Sequence, residues 1–143
     1  MIVRELMSGG VISAPPWMPI LEARNLMMKE RIRHLPVTDG DGKLLGIITD
    51  RDIRLNLPSR ATSLSVWEIN HLLSKLTVDE VMTQAVITVG PDRPARDAAR
   101  LMIDHRIGAL PVELDGRLIG IITETDLLRA FIRKDSPVGS SRG

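Results

Sequence analysis

Apolar positions along this chain change period in a fixed order, and the whole order occurs twice. Ala23, Leu26 and Met27, with Glu30 beside them, recur at helical spacing, as do Ala98, Leu101, Met102 and His105 further on. These patterns predict core-facing helices over 18–32 and 93–107, with Asp92 as N-cap and Pro94 in the first turn. Before each helix lies a short β-branched run, Gly10–Ser13 and Ala85–Thr88, read as a strand that ends near prolines. After each helix come two more strand patterns, Leu35–Thr38 with Leu44–Thr49 and Leu110–Glu113 with Leu118–Thr123. The runs Asp39-Gly40-Asp41-Gly42 and Asp115-Gly116 between them are hairpin signals. The near-continuous apolar run of the last strand predicts burial on both faces. Pro36 and Pro111 predict that their strands lie at an edge or begin there.

The repetition is literal. Val3–Val37 aligns with Val78–Val112 at a constant offset of 75, with 15 identities in 35 pairs, and Gly42–Ile53 aligns with Gly116–Leu127 at an offset of 74, with 7 in 12. That is a duplication of a β-α-β-β-α unit, so the fold class is α/β (α+β), a tandem pair with pseudo-twofold symmetry. Two copies are too few for a solenoid, and a closed pair offers a ligand cleft between its copies. Each copy alone is of marginal size, so the copies are expected to share a core. The predicted organisation is repeat 1 over 1–58, a linker loop and helix over 59–77, repeat 2 over 78–133 and a frayed polar tail over 134–143. Within the linker, Pro58 stops the preceding helix. Ser65 and Glu68 form a capping-box pattern ahead of Val66, Ile69, Leu72, Leu73 and Leu76, and Thr77 with Glu80 forms another.

Composition narrows the function classes. Net charge is +1, so no global field argues for nucleic acid, and aromatic residues are only 2%, too few for base-stacking platforms. There is no cysteine, which excludes disulfides and thiolate chemistry and fits a cytoplasmic protein. No apolar run is long enough to span a bilayer, and residues 1–20 lack the pattern of a signal peptide. A Walker-type glycine loop, paired histidines at metal spacing and a nucleophile elbow are all missing. Asp39, Asp41 and Asp115 read as turn formers, not calcium ligands. No metal site, obligatory cofactor or catalytic constellation is expected, and the chain reads as no enzyme.

The chemistry concentrates at two strand-to-helix junctions, Gly46-Ile47-Ile48-Thr49-Asp50-Arg51-Asp52 and Gly120-Ile121-Ile122-Thr123-Glu124-Thr125-Asp126. A helix N-terminus after a strand presents free N–H groups and a positive dipole end, which favours phosphate. The threonine hydroxyl can donate to phosphate oxygen, and the aspartate can accept from ribose hydroxyls. Thr-x-x-Asp at a helix start is also a plain capping arrangement that needs no ligand.

The order Leu-Pro-Val, a glycine-containing turn and Gly-Ile-Ile-Thr-x-x-Asp, present twice over residues 3–131, resembles the CBS-domain pair. The Trp67-Glu68-Ile69-Asn70 helix and the start Met1-Ile2-Val3 also look like bacterial acetoin-utilisation-type CBS proteins, without the further C-terminal domain that some of those carry. The resemblance implies a regulatory module that senses AMP, ADP, ATP or S-adenosylmethionine. Thr49 with Asp52, and Thr123 with Asp126, would hold ribose and phosphate, joined by Arg51. Arg33 and His34 match places where basic side chains reach phosphate, and Ser13, Ala14, Thr88 and Val89 match places where backbone groups meet adenine. Copy two has Gly108, Ala109 and Thr125 in place of Arg33, His34 and Arg51, so the two sites differ in charge. The resemblance further implies a homodimer through the helices, with Met27, Met28, Met102 and Ile103 as candidate contacts, and an unidentified regulated protein as partner. The alternative is an interaction or dimerisation module whose ligand sites are vestigial.

Overall fold

The computed structural model describes residues 1–57 and 63–135, the side chain of Asp135 excepted. Residues 58–62 and 136–143, on which the predicted helix stop at Pro58, part of the predicted linker loop and most of the predicted tail fall, lie outside the described residues. The elements run α1 (Val3–Leu6), α2 (Ile20–Glu30), β1 (His34–Thr38), β2 (Leu44–Thr49), α3 (Asp50–Leu55), α4 (Val66–Lys75), α5 (Val78–Val81), α6 (Ala95–His105), β3 (Ala109–Leu114), β4 (Arg117–Thr123) and α7 (Glu124–Asp135).

The chain forms two compact units. One is Ile12–Val86, and the other joins Met1–Val11 to the chain from Ile87 onward. The sequence repeats and the units therefore differ in one respect: the short leading helix of each repeat packs in the unit built on the other repeat's helices and strands. In the first unit, α5 follows Thr77, and Val78 N–H donates to the Met18 carbonyl while Ile20 N–H donates to the Leu76 carbonyl. In the second, Val3 N–H donates to the Arg93 carbonyl and Ala95 N–H to the Met1 carbonyl. These backbone bonds satisfy the first donors of α2 and α6, which carry prolines, not capping side chains, at their N-caps. Asp92 is thus not the N-cap that the sequence predicts. It lies ahead of the helix, and its carboxylate accepts from Arg4 Nε at 3.3 Å.

Each unit is organised on one antiparallel hairpin. β1 pairs with β2 with His34 opposite Thr49 and Pro36 opposite Ile47. β3 pairs with β4 with Ala109 opposite Thr123 and Pro111 opposite Ile121. The second hairpin turns through Asp115 and Gly116 at φ 54° and 82°, the two positive values that a tight Asp-Gly turn requires. In the first, Asp39 Oδ1 accepts from the N–H groups of Asp41 and Lys43, which closes a longer turn. No strand forms at 10–13 or 85–88; what remains is a single parallel bridge at the next residue of each, Ala14 to Val37 and Val89 to Val112. Pro15 in one copy and Pro91 in the other stand close behind, and a chain without that N–H cannot extend the ladder. β1 is accordingly flanked by β2 and by Ala14, and Pro36 is fully buried, not placed at an open edge. Pro36 still gives its carbonyl to Ala14 N–H at 2.9 Å, so its ring costs at most one donor. β2 buries Gly46 and Ile48, and β4 buries Gly120 and Ile122, while their remaining positions are partly buried or exposed, less than the expected two-faced burial.

Buried side chains fall into two clusters in place of the single shared core predicted. Ile20, Ala23, Met27, Leu35, Val37, Ile48, Leu73 and Val78 anchor the first, and Val3, Ala98, Met102, Leu110, Val112 and Ile122 anchor the second. The borrowed leading helices supply Val78 and Val3, and α4 supplies Leu73, which is how each unit completes a core that one repeat could not. α4 begins with the predicted box: Ser65 Oγ accepts from Glu68 N–H and Glu68 Oε1 from Ser65 N–H, both at 3.1 Å. Its apolar face is narrower than expected, since Val66 is 74% exposed. At α5, hydrogen bonds from the Thr77 hydroxyl and then its N–H hold the Glu80 carboxyl below the usual carboxylate range.

α2 and α6 both end on an arginine with positive φ, Arg31 at 56° and Arg106 at 55°. An L residue there is strained by its Cβ, whereas glycine is not. Arg106→Gly is expected to raise stability by about 0.5–1 kcal/mol, read as a higher urea midpoint at unchanged slope. A lower midpoint would mean that the arginine side chain contributes more than its backbone strain costs.

Candidate functional site

The two junctions have nearly the same local geometry. In the first unit, Asp52 Oδ2 accepts from Thr49 N–H at 2.9 Å and from the Thr49 hydroxyl at 3.0 Å, and Asp52 N–H donates back to Thr49 Oγ1 at 3.2 Å. In the second unit the corresponding distances for Thr123 and Asp126 are 2.8, 3.0 and 3.3 Å. Each is a reciprocal capping box at the first turn of α3 or α7. All four side chains are half-buried, so the carboxylates remain within reach of solvent.

His34 lies directly across the ladder from Thr49, which puts the two side chains about 5 Å apart at their Cβ atoms. Arg33 and Arg51 flank that pair and are exposed. Among the described residues neither arginine forms an ion pair. Ser13 and Ala14 sit toward the other end of β1. Ala14 bridges Val37, and the Ser13 hydroxyl accepts from the Thr38 hydroxyl at 3.2 Å. The step from His34 to Val37 is about 10 Å at the rise of a strand. Ala14 is buried, and its N–H is used by Pro36 and its carbonyl by Thr38 N–H. Val89 is buried likewise, with its N–H on Pro111 and its carbonyl accepting from Glu113. Only the second lone pair of each carbonyl is left for an adenine, so the backbone groups available to a base narrow to those carbonyls and to Ser13 and Thr88.

Copy two places different side chains on the same frame. Ala109 stands opposite Thr123 and is buried. Gly108 lies under the Glu124 carboxylate: a Cβ built on Gly108 would meet Glu124 Cδ at 3.4 Å and Oε1 at 3.5 Å. A pocket of about 380 Å³ adjoins Thr88 and Val89 and is walled by Gly90, Arg93, Asp97, Arg100, Leu101 and Asp104. Thr123 and Asp126 are not among its lining residues. The Arg93 and Asp97 side chains of that wall, four residues apart, pair at 2.6 Å.

Sequence reasoning missed a further element of each junction. The segment Met82-Thr83 runs beside β2, with Ile47 N–H donating to the Thr83 carbonyl at 3.0 Å and Thr83 N–H to the Ile47 carbonyl at 2.9 Å. The Thr83 hydroxyl reaches Asp52 Oδ1 at 3.4 Å, a long contact that orients the carboxylate. Met7-Ser8 holds the equivalent place beside Ile121. The recurrence of Met followed by a hydroxyl residue in both copies was the available signal.

Candidate dimer contacts also sort differently from the expectation. Met27 and Met102 face the core, whereas Met28 and Ile103 are exposed. Leu128, Phe131 and Ile132 of α7 are each more than 60% exposed and join Ile103 as exposed apolar side chains of the second unit. Among the described residues no helix is long and apolar enough to cross a membrane, and no group of three metal-ligating side chains occurs.

Known proteins share this arrangement. A CBS domain-containing protein of Dictyostelium discoideum is 36% identical over 138 residues, covering 96% of this chain and 95% of that one. L-aspartate semialdehyde sulfurtransferase of Methanocaldococcus jannaschii is 35% identical over 131 residues, which cover 91% of this chain but only 23% of the length of that protein. Among solved structures, the acetoin utilization protein AcuB from Vibrio cholerae superposes with a TM-score of 0.82 at 29% identity, covering 100% of this chain and 98% of that one. The CBS domain pair of protein MJ0100, in complex with 5′-methylthioadenosine and S-adenosyl-L-methionine, does so at 0.76 and 35%, covering 94% and 98%. CBSX2 in complex with AMP does so at 0.75 and 27%, covering 93% and 97%. The CBS domain family model matches residues 3–59 and 78–133, one match per repeat, and the chain belongs to the CBS-domain family.

Proposed function

We propose that this protein is a non-enzymatic regulatory module that binds adenosine-containing ligands at its strand-to-helix junctions. One observation carries the reading: each unit holds a threonine hydroxyl and an aspartate carboxylate on the first turn of a helix, within reach of solvent. The carboxylate would accept from the ribose hydroxyls, and the helix N-terminus with the threonine would receive the 5′ substituent. In the first unit, Arg33, His34 and Arg51 would address phosphate. The adenosine ligands of MJ0100 and CBSX2 support this chemistry. Ligand binding would act by its differential affinity for two shapes of the protein or of its dimer.

A second reading has its own support. The exposed Ile103, Leu128, Phe131 and Ile132 favour a self-association face, as in a homodimer or a pure interaction module.

Titration calorimetry and thermal shift with AMP, ADP, ATP and S-adenosylmethionine separate the two. A ligand at 100 times its Kd adds about 2.7 kcal/mol, which at this chain length is a shift of roughly 5–10 °C. No heat and no shift with any of the four would leave the interaction module as the function.

A further inference from the structure

We propose that the two junctions are specialised by charge, so that the protein takes two chemically different adenosine ligands at once. The first unit would take a phosphorylated adenosine. The second would take an adenosine whose 5′ substituent is uncharged or cationic, a thioether or a sulfonium. This inference rests on the adenosine reading above and adds ligand class to each site.

The backbone cannot discriminate, because the hydrogen bonds of the two capping boxes agree to within 0.1 Å. The side chains around them can. Across 31–34 and 49–55 the first junction carries four arginines, Arg31, Arg33, Arg51 and Arg54, against two carboxylates, Asp50 and Asp52. Across the matching stretches 106–109 and 123–129 the second carries two arginines, Arg106 and Arg129, against two carboxylates, Glu124 and Asp126. The changes fall closest to the box. Arg33 becomes Gly108, the half-buried His34 opposite the threonine becomes the buried Ala109, and Arg51 becomes Thr125.

The freed space at Gly108 is overlooked by a carboxylate, since Glu124 Oε1 lies 3.5 Å from where a Cβ on Gly108 would stand. Neither Glu124 nor Asp126 is in an ion pair among the described residues. A di- or triphosphate arriving there would meet two like charges held in no ion pair, which oppose the attraction of the α7 N-terminus. A sulfonium would instead gain from both carboxylates, and a neutral thioether would be indifferent to them. In the first unit the unpaired Arg33 and Arg51 do the reverse: they can receive phosphate oxygens through charge-assisted hydrogen bonds.

Calorimetry on the full chain with ATP, 5′-methylthioadenosine and S-adenosylmethionine tests this. The expected result is one ATP per chain, with methylthioadenosine or S-adenosylmethionine filling a second site while ATP is saturating. Replacing Arg33→Gly together with Arg51→Thr is expected to lower the ratio of ATP to methylthioadenosine affinity at least tenfold. Glu124→Gln, an exposed change, is expected to lower the ratio of S-adenosylmethionine to methylthioadenosine affinity threefold or more. Gly108→Arg with Thr125→Arg is expected to admit a second ATP, because the nearest obstacle at Gly108 is the movable end of Glu124. Two equivalent ATP per parent chain, or unchanged ratios in these variants, would overturn the specialisation and leave the adenosine reading standing. No binding of any of the three would overturn both.

Discussion

Gly120→Ala and Gly46→Ala are each expected to lower the unfolding free energy by about 2–4 kcal/mol, a loss of roughly 5–15 °C in Tm at this chain length. A Cβ on Gly120 would stand 2.9 Å from the Ser8 carbonyl oxygen and 2.5 Å from Met7 Sδ. On Gly46 it would stand 2.8 Å from the Thr83 carbonyl oxygen and 2.6 Å from Met82 Sδ. The sulfur atoms belong to flexible methionine side chains that can move, but the carbonyls are held. Each belongs to a pair of backbone hydrogen bonds of 2.9–3.0 Å, Ser8 with Ile121 and Thr83 with Ile47. Relieving the overlap means breaking those bonds, at about 1 kcal/mol each, on top of the overpacking cost. Gly40→Ala is the control: a Cβ there meets nothing within 4 Å, so its effect should stay within about 0.5 kcal/mol. Urea melts of the three variants decide the matter. Gly120→Ala and Gly46→Ala melting with the control would show that the crossing segments slide without resistance.

The second large effect concerns binding. Asp52→Ala and Asp126→Ala each remove a carboxylate that accepts from a threonine N–H and hydroxyl, which costs roughly 1 kcal/mol as a lost cap. If the same carboxylates hold ribose, affinity for the adenosine ligand of that site falls ten- to hundredfold, as charge-assisted hydrogen bonds contribute about 1.5–3 kcal/mol. Parallel melts and titrations separate the roles. Lower stability with unchanged affinity at both sites would reduce Thr-x-x-Asp to a capping motif. Asp52 also accepts from Thr83 at 3.4 Å, so Thr83→Val is expected to weaken the first site modestly while sparing the α3 cap.

Much of the fold was open to reading because it is written in side chains close together along the chain. Asp115-Gly116 announces its hairpin through two positive φ values that few other dipeptides accept. Ser65 with Glu68, and Thr49 with Asp52, meet across a single helical turn, so spacing alone places them. Ala23 and Met27, and Ala98 and Met102, mark core faces by their period. What could not be read was carried by backbone groups. The caps of α2 and α6 come from the carbonyls of Leu76 and Met1, which is why Asp92 looked like a cap and is none. The expected strands at 10–13 and 85–88 have β-branched residues but reduce to one bridge just past each, at Ala14 and Val89, because prolines follow within two residues.

The candidate site divides along the same line. The sequence by itself determined the duplication, the two Thr-x-x-Asp boxes, and the charge difference between Arg33, His34 and Arg51 on one side and Gly108, Ala109 and Thr125 on the other. The duplication is a match of identities at a fixed offset, and the others are identities and spacings within one element or one hairpin. Only the tertiary structure decided that each repeat's leading helix completes the unit of the other, that Met82-Thr83 and Met7-Ser8 press on Gly46 and Gly120, and that Thr83 reaches Asp52. It also decided that the Glu124 carboxylate overlooks Gly108. The physical reason is that close backbone approach between distant segments leaves no periodic trace: any residue offers the same carbonyl, and only the glycine that yields space records where it passed.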